Sequence, residues 1–228
     1  MLLAATTSYA AKNDDDDDPT EYLPYNEKAS KEWALIKDDK RHKIKAFSKK
    51  EDGYRFRSFK VQGVLNGSLE AAARCHFDIE NIPSWYMNVT EAKLLKRVSD
   101  TEYYFYFYAK MPFGVPHRDV VVHAKVQPYS TKTGFLAISY SAAPDFIPTK
   151  PGVIRMPAYE TTTKFTPINE NQTEEQLEGY VDPGGEGLPI WLVNYAQRRT
   201  PYSNMIGRQR VISKCAASDS PIPFKYKE

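Results

Sequence analysis

The sequence predicts an α+β fold: one long, curved antiparallel sheet with helices near both ends of the chain. Two patterns carry that prediction. Extended runs follow one another from Val89 to Val181, joined by short polar turns such as Ser99-Asp100 and Ser130 to Gly134. Strands joined so closely pair as antiparallel hairpins. No strand–helix–strand alternation interrupts them, which argues against a parallel sheet.

The chain has 228 residues, enough to bury a substantial core without disulfide staples. Aromatic residues make up 13% of it and they cluster. The net charge is +2, but Asp14 to Asp18 carry five negative charges in a row. Without them the remainder holds 31 basic and 24 acidic groups, a net of +7. A mildly basic body favours anionic lipid surfaces or nucleic acid. The absence of an arginine-rich tract or nucleic-acid motif argues against the second.

The elements follow in order. Leu2 to Thr7 is short and apolar, and Ser8-Tyr9-Ala10 has the small residues of a signal-peptidase site. A charged start is lacking, so the segment reads as an export-signal remnant or as a chance cluster of alanines. Asn13 to Thr20 is an acidic run whose like charges repel, as in a solvated tether. Residues 1–20 thus form a leader and linker, 21–215 the folded domain, and 216–228 a tail. Ser30 to Lys37 predicts a short helix with a serine N-cap. Lys43 to Phe47 and Tyr54 to Leu65 predict strands, the second bent near Ser58. Ser68 caps an alanine-rich helix, and Pro83 opens a helical turn through Tyr86. Strands follow at Val89–Val98, Glu102–Ala109, Asp119–Gln127, Phe135–Ala142, Val153–Thr166 and Gln176–Val181. After the turn Asp182 to Gly187, Pro189 starts a terminal helix through Ile212. Its first turns are crowded with apolar groups and need a large apolar partner.

Tyr103 to Tyr108 is aromatic throughout. Side chains alternate, so Tyr103, Phe105 and Phe107 share one face, and Tyr104, Tyr106 and Tyr108 the other. Both faces must be covered, either by core or, on one side, by a ligand cavity. Arg118 and Asp119 at a strand start read as structural, a salt bridge or a tied loop, rather than as an acid–base pair. His42, His76, His117 and His123 show no convincing metal-ligand spacing, and no phosphate loop or nucleophile elbow is present. Cys75 and Cys215 can pair if the chain is exported; otherwise Cys75 is a small buried residue.

Together these residues resemble a family. Trp85 with Val89 to Leu95, His117-Arg118-Asp119-Val120-Val121, Gly152-Val153-Ile154-Arg155, and Asp182-Pro183-Gly184-Gly185 with Leu188 to Asn194 are similar in order and spacing to START domains. These are the lipid-transfer modules named after the steroidogenic acute regulatory protein, here of the bacterial single-domain kind. The resemblance implies a helix-grip fold, in which the sheet wraps the C-terminal helix around an internal hydrophobic tunnel. It implies noncatalytic binding and transfer of one lipid or sterol-like molecule, no cofactor, no metal, transient membrane contact, no nucleic acid, and a monomer. The expected tunnel wall is Phe105, Phe107, Val122, Ala124, Ile138, Tyr140, Met156, Trp191, Leu192 and Tyr195. The expected gate is the terminal helix with Met111, Phe113 and Val115. Sterol-binding relatives carry a buried Glu and Arg that fall by spacing near Phe107 and Ala124, so a charged anchor is not expected. Two alternatives stay open: a polyketide aromatase/cyclase-like enzyme of the same broad fold, and a ligand sensor or interaction module.

Overall fold

A computed structural model describes residues 32–112, 114–185, 188–218 and 222. The leader, the acidic linker and Phe113 lie outside the described residues.

Ten strands form one sheet, ordered β1-β2-β3-β10-β9-β7-β6-β5-β4, with β8 beside β6. They are β1 Ala34–Asp39, β2 Ile44–Lys49, β3 Ser58–Leu65, β4 Val89–Ser99, β5 Glu102–Ala109, β6 His117–Gln127, β7 Leu136–Ala142, β8 Val153–Arg155, β9 Ala158–Asn169 and β10 Gln172–Asp182. Helix α1 spans Leu69–Phe77 and helix α2 spans Ile190–Ala216. A 3₁₀ turn covers Ile79–Ser84 with Pro83 inside it. This is the helix-grip arrangement: a long antiparallel sheet wrapped around its C-terminal helix.

Local chemistry accounts for most boundaries. Ser68 caps α1, its hydroxyl accepting from Ala71 N at 3.2 Å. β3 begins at Ser58, so Tyr54 to Arg57, expected as the first residues of that strand, lie outside it. Three further expectations need correction. The segment expected as a helix at 30–37 is strand β1 from Ala34 onward, because tertiary pairing with β2 overrides a weak capping signal. Ile36 is buried, and the Lys37 ammonium lies 4.2 Å from the Tyr202 ring centroid. The long strand expected from Val153 is broken at Met156 and Pro157 into β8 and β9. β8 pairs with β6 in parallel, through His117 to Asp119 opposite Val153 to Arg155, so the sheet is not wholly antiparallel.

The outer face of β5 is covered by the segment after β7. Tyr104 stacks between His123 and Phe146, at 4.3 and 4.2 Å, and the Lys150 ammonium sits 4.5 Å from the Tyr106 ring. The inner face carries Tyr103, Phe105 and Phe107 in the main core. α2 lies across that face. At about 1.5 Å per residue its 27 residues span roughly 40 Å.

α2 is fastened mainly through its second half. Tyr202 donates to Asp39 at 2.6 Å, Asn204 Oδ1 accepts from Met87 N at 2.8 Å, and Gln209 donates to the carbonyls of His42 and Val64, both at 2.9 Å. Cys215 is disulfide-bonded to Cys75 of α1, resolving the open question of their pairing. Gly207 lets the helix reach the chain at Trp85, since a Cβ there would lie 2.2 Å from the Trp85 carbonyl oxygen. The first half has fewer ties: Asn194 Oδ1 accepts from Arg57 N at 3.1 Å, and Gln197 donates to Val181 O at 2.6 Å. Buried Pro201 lies between the two halves. Among the described residues no helix is long and apolar enough to cross a membrane.

Candidate functional site

Between α2 and the inner face of the sheet lies a cavity of about 370 Å³. That volume falls within the roughly 300–1,000 Å³ of small-molecule sites. Phe59 of β3, Phe107 and Ala109 of β5, Met156, Tyr159 of β9 and Leu177 and Val181 of β10 supply the sheet side. Leu192, Val193, Tyr195, Ala196 and Pro201 of α2 supply the roof. Met111, Pro112 and Val115 complete the wall. Pro112 and Ala196 are exposed lining residues, so the cavity reaches the surface between the 110–116 loop and the first turns of α2.

One arginine shapes the mouth and a second braces the opposite face of the sheet. Arg118 donates to the carbonyls of Pro116, Pro183 and Gly184, tying the 110–116 loop to the turn that precedes α2. Gly184 and Gly185 in that turn hold φ of 65° and 77°, a left-handed conformation that favours glycine. Asp119 pairs instead with Arg155, at 2.7 and 3.2 Å. Arg155 also donates to the carbonyls of Pro144, Ile147 and Pro148, fixing the segment that covers the outer face. Arg118 and Asp119 are thus adjacent but serve opposite sides of the sheet.

The expected wall residues divide by position. Phe107, Met156, Leu192 and Tyr195 line the main cavity, as do the gate residues Met111 and Val115. Phe105 and Tyr140 line a smaller chamber that adjoins it, with Tyr86, Phe107 and Tyr159 lining both. Val122, Ala124 and Ile138 lie instead beneath the wall, wholly buried and outside the lining. The rings of Phe105 and Tyr140, opposite Val122 and Ala124 in register, meet across β6 at 6.1 Å and close over those short side chains. Ile138 sits further along β7, beside Thr163 and near Phe165, where His76 of α1 packs at 5.0 Å. Trp191 is 69% exposed, because the helical turn that points Leu192 and Val193 inward points it out.

The cavity's deep end departs from the expected apolar interior. Arg208 of α2 and Glu175 of β10 form a fully buried ion pair, Nε to Oε2 at 2.8 Å and Nη2 to Oε1 at 2.6 Å. Burial pushes the Glu175 carboxyl up, but the Arg208 charge, the hydrogen bond and charge of His76, and the Arg208 hydrogen bond together hold the group below the ordinary carboxylate range. His76 lies 3.8 Å from Glu175, and its Nδ1 is 3.0 Å from the Tyr140 hydroxyl. Burial keeps that imidazole below its ordinary value, with the Arg208 charge adding and Glu175 opposing. The Tyr86 and Tyr159 hydroxyls meet at 3.1 Å, and burial raises both phenols. A buried ion pair is therefore present, contributed by strand and helix positions other than those the family spacing indicates, with Arg208 in the wall of the smaller chamber. Two signals for it stand in the sequence. Glu175 shares strand parity with Leu177 and Val181, and Arg208 falls at helical spacing between Met205 and Ile212.

No family model matches the chain. An uncharacterised protein of Pseudomonas aeruginosa is 25% identical over 185 residues, covering 81% of this chain and 89% of that protein. The phosphatidylcholine transfer protein of Rattus norvegicus is 24% identical over 143 residues, covering 61% of this chain and 65% of that one, just under two thirds of its length. Among solved structures, a STAR-related lipid transfer protein fragment from Xanthomonas axonopodis superposes with a TM-score of 0.72 at 25% identity. The match covers 79% of this chain and 98% of that fragment. Human StAR-related lipid transfer protein 5 superposes with a TM-score of 0.69 at 17% identity, over 80% of this chain and 86% of that one, a likeness of fold.

Proposed function

We propose that this chain, similar to START domains in fold and in sequence, binds one hydrophobic molecule beneath α2 and carries it between membranes without catalysing a reaction. The observation that supports this most is the 370 Å³ apolar cavity reaching the surface beside the start of α2. Moving an acyl chain through water costs about 0.8 kcal/mol per methylene, so ten buried methylenes save roughly 8 kcal/mol in transit. No bond is made or broken, so the protein need only open and close.

The anchoring of α2 suggests where it opens. Its second half is held by the disulfide, the Arg208–Glu175 pair and Gln209, whereas its first half roofs the cavity with few polar ties. Ile190 and Trp191, 54% and 69% exposed, are apolar groups that a membrane surface would cover. The first half of α2 and the Met111–Val115 loop are the gate, with Pro201, which cannot donate a helical hydrogen bond, as the hinge. The Cys75–Cys215 disulfide supports export to an oxidising compartment. The chain acts as a monomer in this reading.

The test is transfer of a fluorescent lipid from donor to acceptor vesicles. Phe107→Glu places a carboxylate in the cavity wall. The wild type is expected to accelerate transfer, and the variant to lose ligand retention while its circular dichroism still shows a folded chain. Transfer no faster than in buffer, or equal retention by the variant, refutes the reading.

A further inference from the structure

The outer face of the sheet, away from α2, carries a second cleft. About 340 Å³ of space lies over β6, β7, β9 and β10. Short hydroxyl side chains form its floor: Ser139 and Ser141 of β7 and Thr162 of β9. Longer charged side chains stand at its rims, Lys125 of β6 on one and Glu160 of β9 with Glu178 of β10 on the other. Register sets them in a row. Lys125 is opposite Ser139, Ser139 opposite Thr162, and Thr162 opposite Glu178. Their strand parity is opposite to that of the cavity wall, so the cleft and the cavity lie back to back.

Lys125 and Glu178 each stand beside an oppositely charged cross-strand neighbour and do not pair with it. Lys125 is opposite Glu102, but the Glu102 carboxylate is held 2.6 Å from His123 Nε2, and Tyr104 stacks on that imidazole at 4.3 Å. Glu178 is opposite Lys60, but the Lys60 ammonium lies 4.6 Å from the Trp33 ring centroid and 5.3 Å from that of Phe47, its neighbour on β2. Glu178 accepts one long hydrogen bond, from Gln176 at 3.5 Å. Among the described residues Lys125, Glu160 and Glu178 form no ion pair. Opposite charges facing each other across strands ordinarily stabilise a sheet, and both such pairs are forgone here.

The cleft thus presents an unmatched cation on one rim, unmatched carboxylates on the other, and hydroxyls between. An anion or a cation alone would answer one rim and be repelled by the other. A neutral ligand would answer neither. A molecule with a carboxylate at one end, an ammonium at the other and hydrogen-bonding groups between them answers all three. β6 and β10 are three strand spacings apart, about 14 Å. With side chains reaching in from both rims, about two or three extended residues, at roughly 3.3–3.6 Å each, span the remainder. A lone amino acid is too short.

We propose that this outer cleft is a second binding site, for a short zwitterionic peptide lying across the strands with its carboxylate at Lys125 and its ammonium at Glu178 and Glu160. Ser139, Ser141 and Thr162 meet its amide groups. The site is independent of the cavity beneath α2.

The experiment follows backbone amide shifts of the full chain by NMR during titration with triglycine, triglycine amide, N-acetyltriglycine and glycine. Triglycine should give saturable shifts on β6, β7, β9 and β10. Each blocked peptide lacks one charge and should bind about tenfold more weakly, the worth of one charge-assisted hydrogen bond. Lys125→Met should weaken triglycine about tenfold and leave triglycine amide, which has no carboxylate, unchanged. The double variant Glu160→Gln/Glu178→Gln should weaken triglycine and leave N-acetyltriglycine, which has no ammonium, unchanged. Circular dichroism checks that each variant is folded. No saturable shift with triglycine overturns the site, as does equally tight binding of glycine or of either blocked peptide. Equal loss of triglycine and its amide in Lys125→Met also overturns it, because that marks a change of shape rather than a lost charge pair.

Discussion

Opening the disulfide tests how far the fold depends on the clamp between α1 and α2. Cys75 and Cys215 are 140 residues apart, so the bond closes most of the folded chain into one loop. In the chain-entropy description, a loop of that length restricts the unfolded state by about 5 kcal/mol, while removal of a native disulfide typically costs about 2–5 kcal/mol. Total stabilities are roughly 5–15 kcal/mol, so the bond is a large share of what keeps the chain folded. With a urea slope near 3 kcal/mol per molar, a loss of about 4 kcal/mol moves the unfolding midpoint down by roughly 1.3 M. The assay is urea unfolding followed by circular dichroism, with and without reductant, alongside the double variant Cys75→Ser/Cys215→Ser. Reductant should shift the wild type and leave the double variant in place. An unchanged wild-type midpoint, or two titratable thiols in unfolded protein kept free of reductant, refutes the reasoning.

Acid should weaken the fold in stages. The buried His76 is held below the ordinary 6.5 by burial, so the unfolded chain takes up a proton first as pH falls below 6.5 and stability drops there. Burial raises Glu175 but Arg208 and His76 together bring it below its ordinary value, so its contribution is complete above 4.5 and is lost as pH falls further. Burial also opposes ionisation of Asp39, but hydrogen bonds from Tyr202 and His42 bring it down from 3.8 to about 2, extending the loss into that range. Urea midpoints measured from pH 7.5 to 2 should hold down to about 6.5 and fall below it; a flat profile would contradict this. Gly207→Ala sets the added methyl 2.2 Å from the Trp85 carbonyl oxygen, and overpacking of this kind costs about 1–3 kcal/mol. A melting temperature lower by several degrees is expected, whereas the rise that alanine gives in an unobstructed helix would show that α2 does not approach Trp85. Asp119→Ala leaves Arg155 buried without its carboxylate, which should cost about 3–5 kcal/mol in the same urea assay. A loss under 1 kcal/mol would mean the carbonyls around Arg155 suffice alone.

Much of this architecture is legible in the sequence because its signals are local. The hairpin from Glu102 to Gln127, the Ser68 cap and the proline start of α2 each declare themselves within a few residues. β1 does not, because Ala34 to Asp39 become a strand only by pairing with β2 and packing under Tyr202, which lies far along the chain. The cavity lining was legible to the level of strand face. Parity puts Phe105, Val122 and Ala124 on the inner side, but not which of them a neighbouring ring covers. The Arg208–Glu175 pair was hidden for a different reason. Each residue sits at an apolar-facing position of its own element, and only the crossing of α2 over β10 joins them.

The proposal that α2 roofs a hollow able to hold a guest is tested most directly by native mass spectrometry of the intact chain purified from its producing cells. One bound hydrophobic molecule per chain, released by organic extraction and restored by incubation with lipid, is the expected spectrum. A bare protein mass under the gentlest conditions, unchanged after exposure to lipid extract, would contradict it.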